Sequence, residues 1–151
     1  MVPTHVIGLG SPHGDDQFGW LVADRLTDEI ERRQLAGVTV RRAVSPLDAV
    51  NRLEGIERLL LIDACHCGDT PGELIKLLWP TPAIAQLRGT GSHDFSIWQA
   101  LELASRLGSL PRECRVWCAA GIEFGPAAGP SRSLLAVVPQ MVEDVLMALK
   151  R

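Results

Sequence analysis

Four aliphatic residues in a row, Leu59-Leu60-Leu61-Ile62, sit between Arg58 and Asp63. A half-buried strand alternates apolar with polar residues, whereas an unbroken run fits a strand covered on both faces. Strands of that kind belong to parallel sheets with helices on each side. This short run therefore narrows the fold class more than any other segment.

The rest of the chain follows the same plan. Thr4 to Gly10 is a second apolar run, closed by Gly8-Leu9-Gly10. Phe18, Leu21, Val22, Leu26 and Ile30 then recur at helical spacing. They predict a helix to about Gln34, with Asp15 or Asp16 as its N-cap. Val38 to Val44 reads as a strand, Leu47 to Leu53 as a short helix, and Glu73 to Trp79 as a strand near an edge. Residues 80–92 contain two prolines and two glycines and read as a loop. Ser92 is expected to cap a helix from His93 to about Leu107, stopped by Gly108. Arg115 to Ala120 is a further strand. Ser131 opens a C-terminal helix in which Pro139 is expected to make a kink. Alternating strands and helices imply an α/β sandwich of three layers around a mainly parallel sheet. No linker or repeat divides the chain, so a single domain over 1–151 is expected.

Bulk composition excludes some functions. A net charge of -3 leaves no basic footprint for nucleic acid. No apolar run approaches the ~20 residues of a membrane span, so no membrane insertion is expected. Met1-Val2-Pro3-Thr4-His5 lacks the basic start of a signal peptide, which leads to an expectation of the cytoplasm. The four cysteines, Cys65, Cys67, Cys114 and Cys118, are accordingly expected to be reduced. Cys65-His66-Cys67 does not have the spacing of a zinc C-x₂₋₄-C motif.

In open α/β sheets the ligand crevice lies beyond the C-terminal ends of the strands. Three polar residues fall there. Asp16 follows the first strand across Gly10-Ser11-Pro12-His13-Gly14, Asp63 ends the aliphatic strand, and His93 stands at the expected helix start. Two carboxylates and an imidazole suit a divalent ion of intermediate hardness such as nickel, zinc, cobalt or iron. Three protein ligands leave positions open for a substrate. Each residue also has a plainer reading: a helix cap for Asp15 or Asp16, a loop hydrogen-bond acceptor for Asp63, a structural imidazole for His93. Gly8-Leu9-Gly10 does not complete a G-x-G-x-x-G dinucleotide fingerprint, because His13 occupies the last glycine position. G-x-S-x-G, H-E-x-x-H and Walker A motifs are absent from the sequence.

The chain resembles the [NiFe]-hydrogenase maturation endopeptidases. The resemblance is carried by Val6-Ile7-Gly8-Leu9-Gly10-Ser11-Pro12 with Gly14-Asp15-Asp16-Gln17-Phe18-Gly19, and by Leu61-Ile62-Asp63-Ala64 with Pro71-Gly72. Ser92-His93-Asp94, Gly121-Ile122-Glu123 and the tail from Gly129 through Pro139 to Leu149 continue it. It implies a twisted sheet of about five strands flanked by helices. It implies an enzyme that removes a C-terminal extension from the hydrogenase large-subunit precursor after nickel insertion. Asp16, Asp63 and His93 take the family's metal-contacting and catalytic roles. The nickel is borne by the substrate rather than held permanently, and zinc or cadmium is expected to substitute.

One segment departs from the family pattern. After the second strand the family has an acidic residue followed by Gly-Gly-Thr, and this chain reads Arg42-Ala43-Val44-Ser45-Pro46. The departure motivates a second reading, a non-catalytic nickel-binding chaperone or checkpoint protein on the same fold. An unrelated small-molecule metallohydrolase is a third. His13, Cys65 and His66 are further rim residues without an assigned role.

Overall fold

The structure is a computed structural model that describes residues 2–66, 70–87, 95–126 and 129–151. Five strands, β1 (Thr4–Leu9), β2 (Val38–Ala43), β3 (Arg58–Cys65), β4 (Leu74–Leu78) and β5 (Glu113–Ala120), form one sheet in the order β2-β1-β3-β5-β4. The pairs β1–β2, β1–β3 and β3–β5 are parallel, and β4 joins antiparallel at the edge. This is the mainly parallel α/β sandwich that the aliphatic run implies. That run lies in β3, at the centre of the sheet, and Leu59, Leu60, Leu61 and Ile62 are all buried.

Alternate residues of β3 serve two separate cores, as the period of a strand requires. Leu60, Ile62 and Ala64 meet α1 (Phe18–Arg33) and α4 (Arg132–Leu149) through Phe18, Val22, Met141 and Val145. Leu59, Leu61 and Cys65 face α2 (Pro46–Ala49) and α3 (Ile97–Arg106) through Ala49, Ile97 and Leu101.

Several elements differ from the sequence expectations. The first helix does not start at an aspartate cap: Gly14–Gln17 forms a 3-10 turn, and α1 follows from Phe18 with no side-chain cap. The carboxylate of Asp15 is engaged elsewhere, as described below. The expected helix over Leu47 to Leu53 is the single turn α2, capped by Ser45, which accepts from the Asp48 N–H. The third helix starts at Ile97, four residues after His93, because Ser96 and Gln99 form a reciprocal capping box there. Ser92 is therefore not its cap. Helix α4 starts after Ser131 as expected and runs unbroken through Pro139. Among the described residues, no helix is long and apolar enough to cross a membrane.

Candidate active site

The two carboxylates singled out in the sequence meet at the C-terminal ends of neighbouring strands. Asp63 is the sixth residue of β3, and Asp16 lies in the 3-10 turn that follows β1, the strand paired with β3. Both are buried, at 8% and 6% exposure. Burial pushes the Asp63 carboxyl well above the usual range, and the negative charge of Asp16 pushes it further. The Ala64 N–H, which donates to Asp63 Oδ1 at 2.8 Å, opposes that shift without cancelling it. Asp63 thus gives up its proton less readily than an ordinary carboxyl, with Asp16 beside it. Two acids meeting in one desolvated site form a pair suited to acid–base work or to a cation.

A close approach of helix to strands makes this meeting possible. A Cβ on Gly8 would collide with the carbonyl of Gly19 and with Ala23, and a Cβ on Gly19 would collide with the carbonyls of Leu9 and Ile62. The glycines let the first turn of α1 sit directly on β1 and β3. The turn bearing Asp16 is thereby carried over the end of β3. The Gly-x-Gly sequence serves helix–sheet packing here.

Asp15 has a different task, which the sequence did not separate from that of Asp16. Its fully buried carboxylate accepts hydrogen bonds from the N–H groups of Ile122 (2.8 Å), Glu123 (3.0 Å) and Ser131 (2.6 Å) and from the Ser131 hydroxyl (2.9 Å). Burial alone would raise its pKa. The hydrogen bonds outweigh burial and leave the carboxyl below its ordinary value. Asp15 therefore stays charged and ties the turn beside Asp16 to the segment before α4. Ser131 shares in this while also capping α4 through the Leu134 N–H. The sequence offered Ser131 only as a helix cap.

The Arg42 departure is also accounted for. The Arg42 guanidinium pairs with both carboxylate oxygens of Asp24 and lies over the Trp20 ring, 4.8 Å from its centroid. Trp20 in turn donates its indole N–H to the Ala43 carbonyl at 3.0 Å. The positive charge that replaces the family's acid is thus matched on the flank of α1.

His93 lies outside the described residues, so its relation to the carboxylates is an expectation only. Among the described residues, no group of three metal-ligating side chains converges. His13 and His66 are exposed on the rim: His13 Nδ1 lies 3.3 Å from the Pro126 carbonyl, and His66 stacks on Phe124 with centroids 4.0 Å apart. The cysteines divide. Cys65 is disulfide-bonded, contrary to the expectation of reduced thiols. Cys114 and Cys118 are free and buried, the former pushed up to about 12 by burial. Cys118 stands beside Asp63 in register, and burial and that acid both hold its thiol protonated. Cys67 lies outside the described residues.

No protein-family model and no curated protein matches the chain. Solved structures do. A hydrogenase 2 maturation peptidase from a Thaumarchaeota archaeon is 26% identical with a TM-score of 0.72, over 97% of this chain and 97% of that one. The [NiFe] hydrogenase maturation protease HycI from Thermococcus kodakarensis is 21% identical with a TM-score of 0.77, over 99% and 94%. The hydrogenase maturating endopeptidase HybD from E. coli is 17% identical with a TM-score of 0.76, over 99% and 93%. The chain has the fold of the hydrogenase maturation proteases. The resemblance read from its sequence signatures is supported along nearly its whole length.

Proposed function

We propose that this chain is an endopeptidase that removes a C-terminal extension from the large-subunit precursor of a [NiFe]-hydrogenase once nickel is in place. The observation that carries the reading is the buried pair Asp16 and Asp63 at adjacent strand ends, on a fold shared with the maturation proteases. In this reading nickel arrives as part of the substrate, and Asp16, Asp63 and His93 occupy its open coordination positions. Carboxylates and imidazole fit nickel, and they accept zinc or cadmium as well. A carboxyl whose proton is held by burial releases it to an incoming dication.

Nickel then works as a checkpoint. A precursor without nickel lacks the contact that positions its scissile bond, so both binding and orientation are lost. In the loaded complex the metal polarises the carbonyl or the attacking water, and a rim carboxylate takes the water proton. The same proton goes to the departing amine as the carbon–nitrogen bond breaks. The setting in this reading is the cytoplasm, with the protein precursor as partner.

The second reading, a nickel-binding checkpoint protein that never cuts, is favoured by the rebuilt segment Arg42-Ala43-Val44-Ser45-Pro46. One experiment separates the two. The intact mass of the precursor is measured after incubation with wild type, Asp16→Asn and His93→Ala, using nickel-loaded, nickel-free and zinc-loaded forms. The endopeptidase reading expects loss of a C-terminal peptide from the metal-loaded forms with wild type alone. An unchanged mass in a verified nickel-loaded precursor would favour the checkpoint protein. Equal cleavage of all three forms would end the role of the metal.

A further inference from the structure

Two exposed apolar side chains flank the carboxylate pair. Val44 directly follows β2 and is 61% exposed, and Ile122 follows β5 and is 54% exposed. Scattered surface aliphatics need no explanation. These two differ in how their backbones are held. The Val44 N–H donates to Asp48 Oδ2 at 3.1 Å, and Asp48 is itself held by the Ser45 hydroxyl at 3.1 Å and paired with Arg41 at 3.7 Å. The Ile122 N–H donates to Asp15 Oδ2 at 2.8 Å. A carboxylate thus anchors the main chain at both positions while the side chain points to solvent. Such bonds are among the stronger ones available to a loop. They fix an apolar group in place before any ligand comes, which lowers the ordering cost of binding.

The strand order sets the spacing. From β2 to β5 the sheet reads β2-β1-β3-β5, so the strand ends bearing Asp16 and Asp63 lie between Val44 and Ile122. Three strand spacings of about 4.8 Å give roughly 14 Å across the sheet. The register sets Ile122 about three residues, roughly 10 Å, beyond Val44 along the strands. The two therefore lie about 17 Å apart, the span of about five residues of extended chain at ~3.3 Å each.

We propose that Val44 and Ile122 are the two specificity-determining subsites of this enzyme, receiving apolar side chains of the extended substrate segment on either side of the scissile bond, about five residues apart. The proposal rests on the endopeptidase reading and adds a substrate requirement to it. It also gives the rebuilt segment a purpose. Where the family pattern has glycine, Val44 supplies a hydrophobic wall, with the partly exposed Leu47 beside it.

The test is the steady-state cleavage of nickel-loaded precursor by wild type, Val44→Asp, Ile122→Asp, Val44→Leu and Ile122→Leu, with a melting curve for each. The expected result is a KM raised about tenfold by each Asp variant, with kcat within about twofold and Tm unchanged. The Leu variants should keep a KM close to wild type. A folded Asp variant at either position with wild-type KM overturns the paired subsites, as does a loss confined to kcat. If an Asp variant fails to fold, the corresponding Ala variant takes its place under the same criteria. Should wild type not cut at all, the endopeptidase reading fails separately. In that case ¹⁵N-labelled protein is titrated with a synthetic peptide spanning the precursor's C-terminal junction. Shifts at both Val44 and Ile122 keep the apolar rim as a peptide site, and their absence overturns it.

Discussion

Asp15 and Asp16 share a turn, a charge and a burial class, yet their partners divide them. Asp15 spends its acceptor capacity on Ile122, Glu123 and Ser131. Asp16 instead acts on Asp63, whose proton its charge helps to retain. Asp15→Asn would replace a charged acceptor with an amide that can satisfy only part of this set. It is expected to cost about 2–4 kcal/mol, read as a lower urea midpoint with unchanged m-value. A loss below 0.5 kcal/mol would contradict the anchoring role. The sequence could nominate Asp16 and Asp63 because strand ends in open α/β sheets are readable from hydrophobic runs. It could not separate Asp15 from Asp16, because the partners of Asp15 lie more than 100 positions away along the chain. The disulfide at Cys65 escaped for a related reason: composition speaks to compartment and says nothing about the state of one cysteine.

At the scale of elements, the pair Gly8 and Gly19 decides where α1 sits. Helix and strands touch there with no room for a methyl group. Gly19→Ala would gain helix propensity in isolation but would drive a Cβ into the carbonyls of Leu9 and Ile62. The packing effect dominates, because main-chain carbonyls in a sheet cannot yield as a side-chain tip can. The expected outcome is a loss of more than about 3 kcal/mol or failure to fold, seen by circular dichroism and thermal melting. A stable, correctly folded Gly19→Ala protein would show that the approach is looser than described. Strand existence was legible throughout, since β1, β2, β3, β4 and β5 all fall on segments that read as strands in the sequence. Helix starts were less so. Ser92 and Ser96 both make plausible caps, and the Gln99 side chain, which closes the reciprocal pair with Ser96, decides between them. His93 itself lies outside the described residues.

For the whole molecule, acid stability gives a direct measurement. His5 is buried in β1, and among the described residues neither ring nitrogen has a hydrogen-bond partner. Burial first, and the Arg41 charge second, lower its pKa. A histidine with a depressed folded pKa contributes fully above its unfolded value near 6.5. That contribution is lost as pH falls below 6.5, because the unfolded chain takes up the proton first. Asp63 shifts the opposite way and gains as pH falls through its raised folded value, so wild type alone would confuse the two. The comparison with His5→Leu cancels Asp63. Between pH 7.5 and 5.5, wild type should lose up to about 1 kcal/mol relative to His5→Leu in urea unfolding. A difference independent of pH would show that His5 titrates as it does in water.

The anchoring of Asp15 to Ser131 also orders events in time. The turn that carries Asp16 comes from the first eighth of the chain, and its fastening comes from a serine near residue 130. During synthesis the N-terminal strands and α1 emerge long before their clamp exists. The acidic site is then incomplete until the ribosome has delivered the start of the last helix. A chain assembled in that order has no finished acidic site while most of it is still being made.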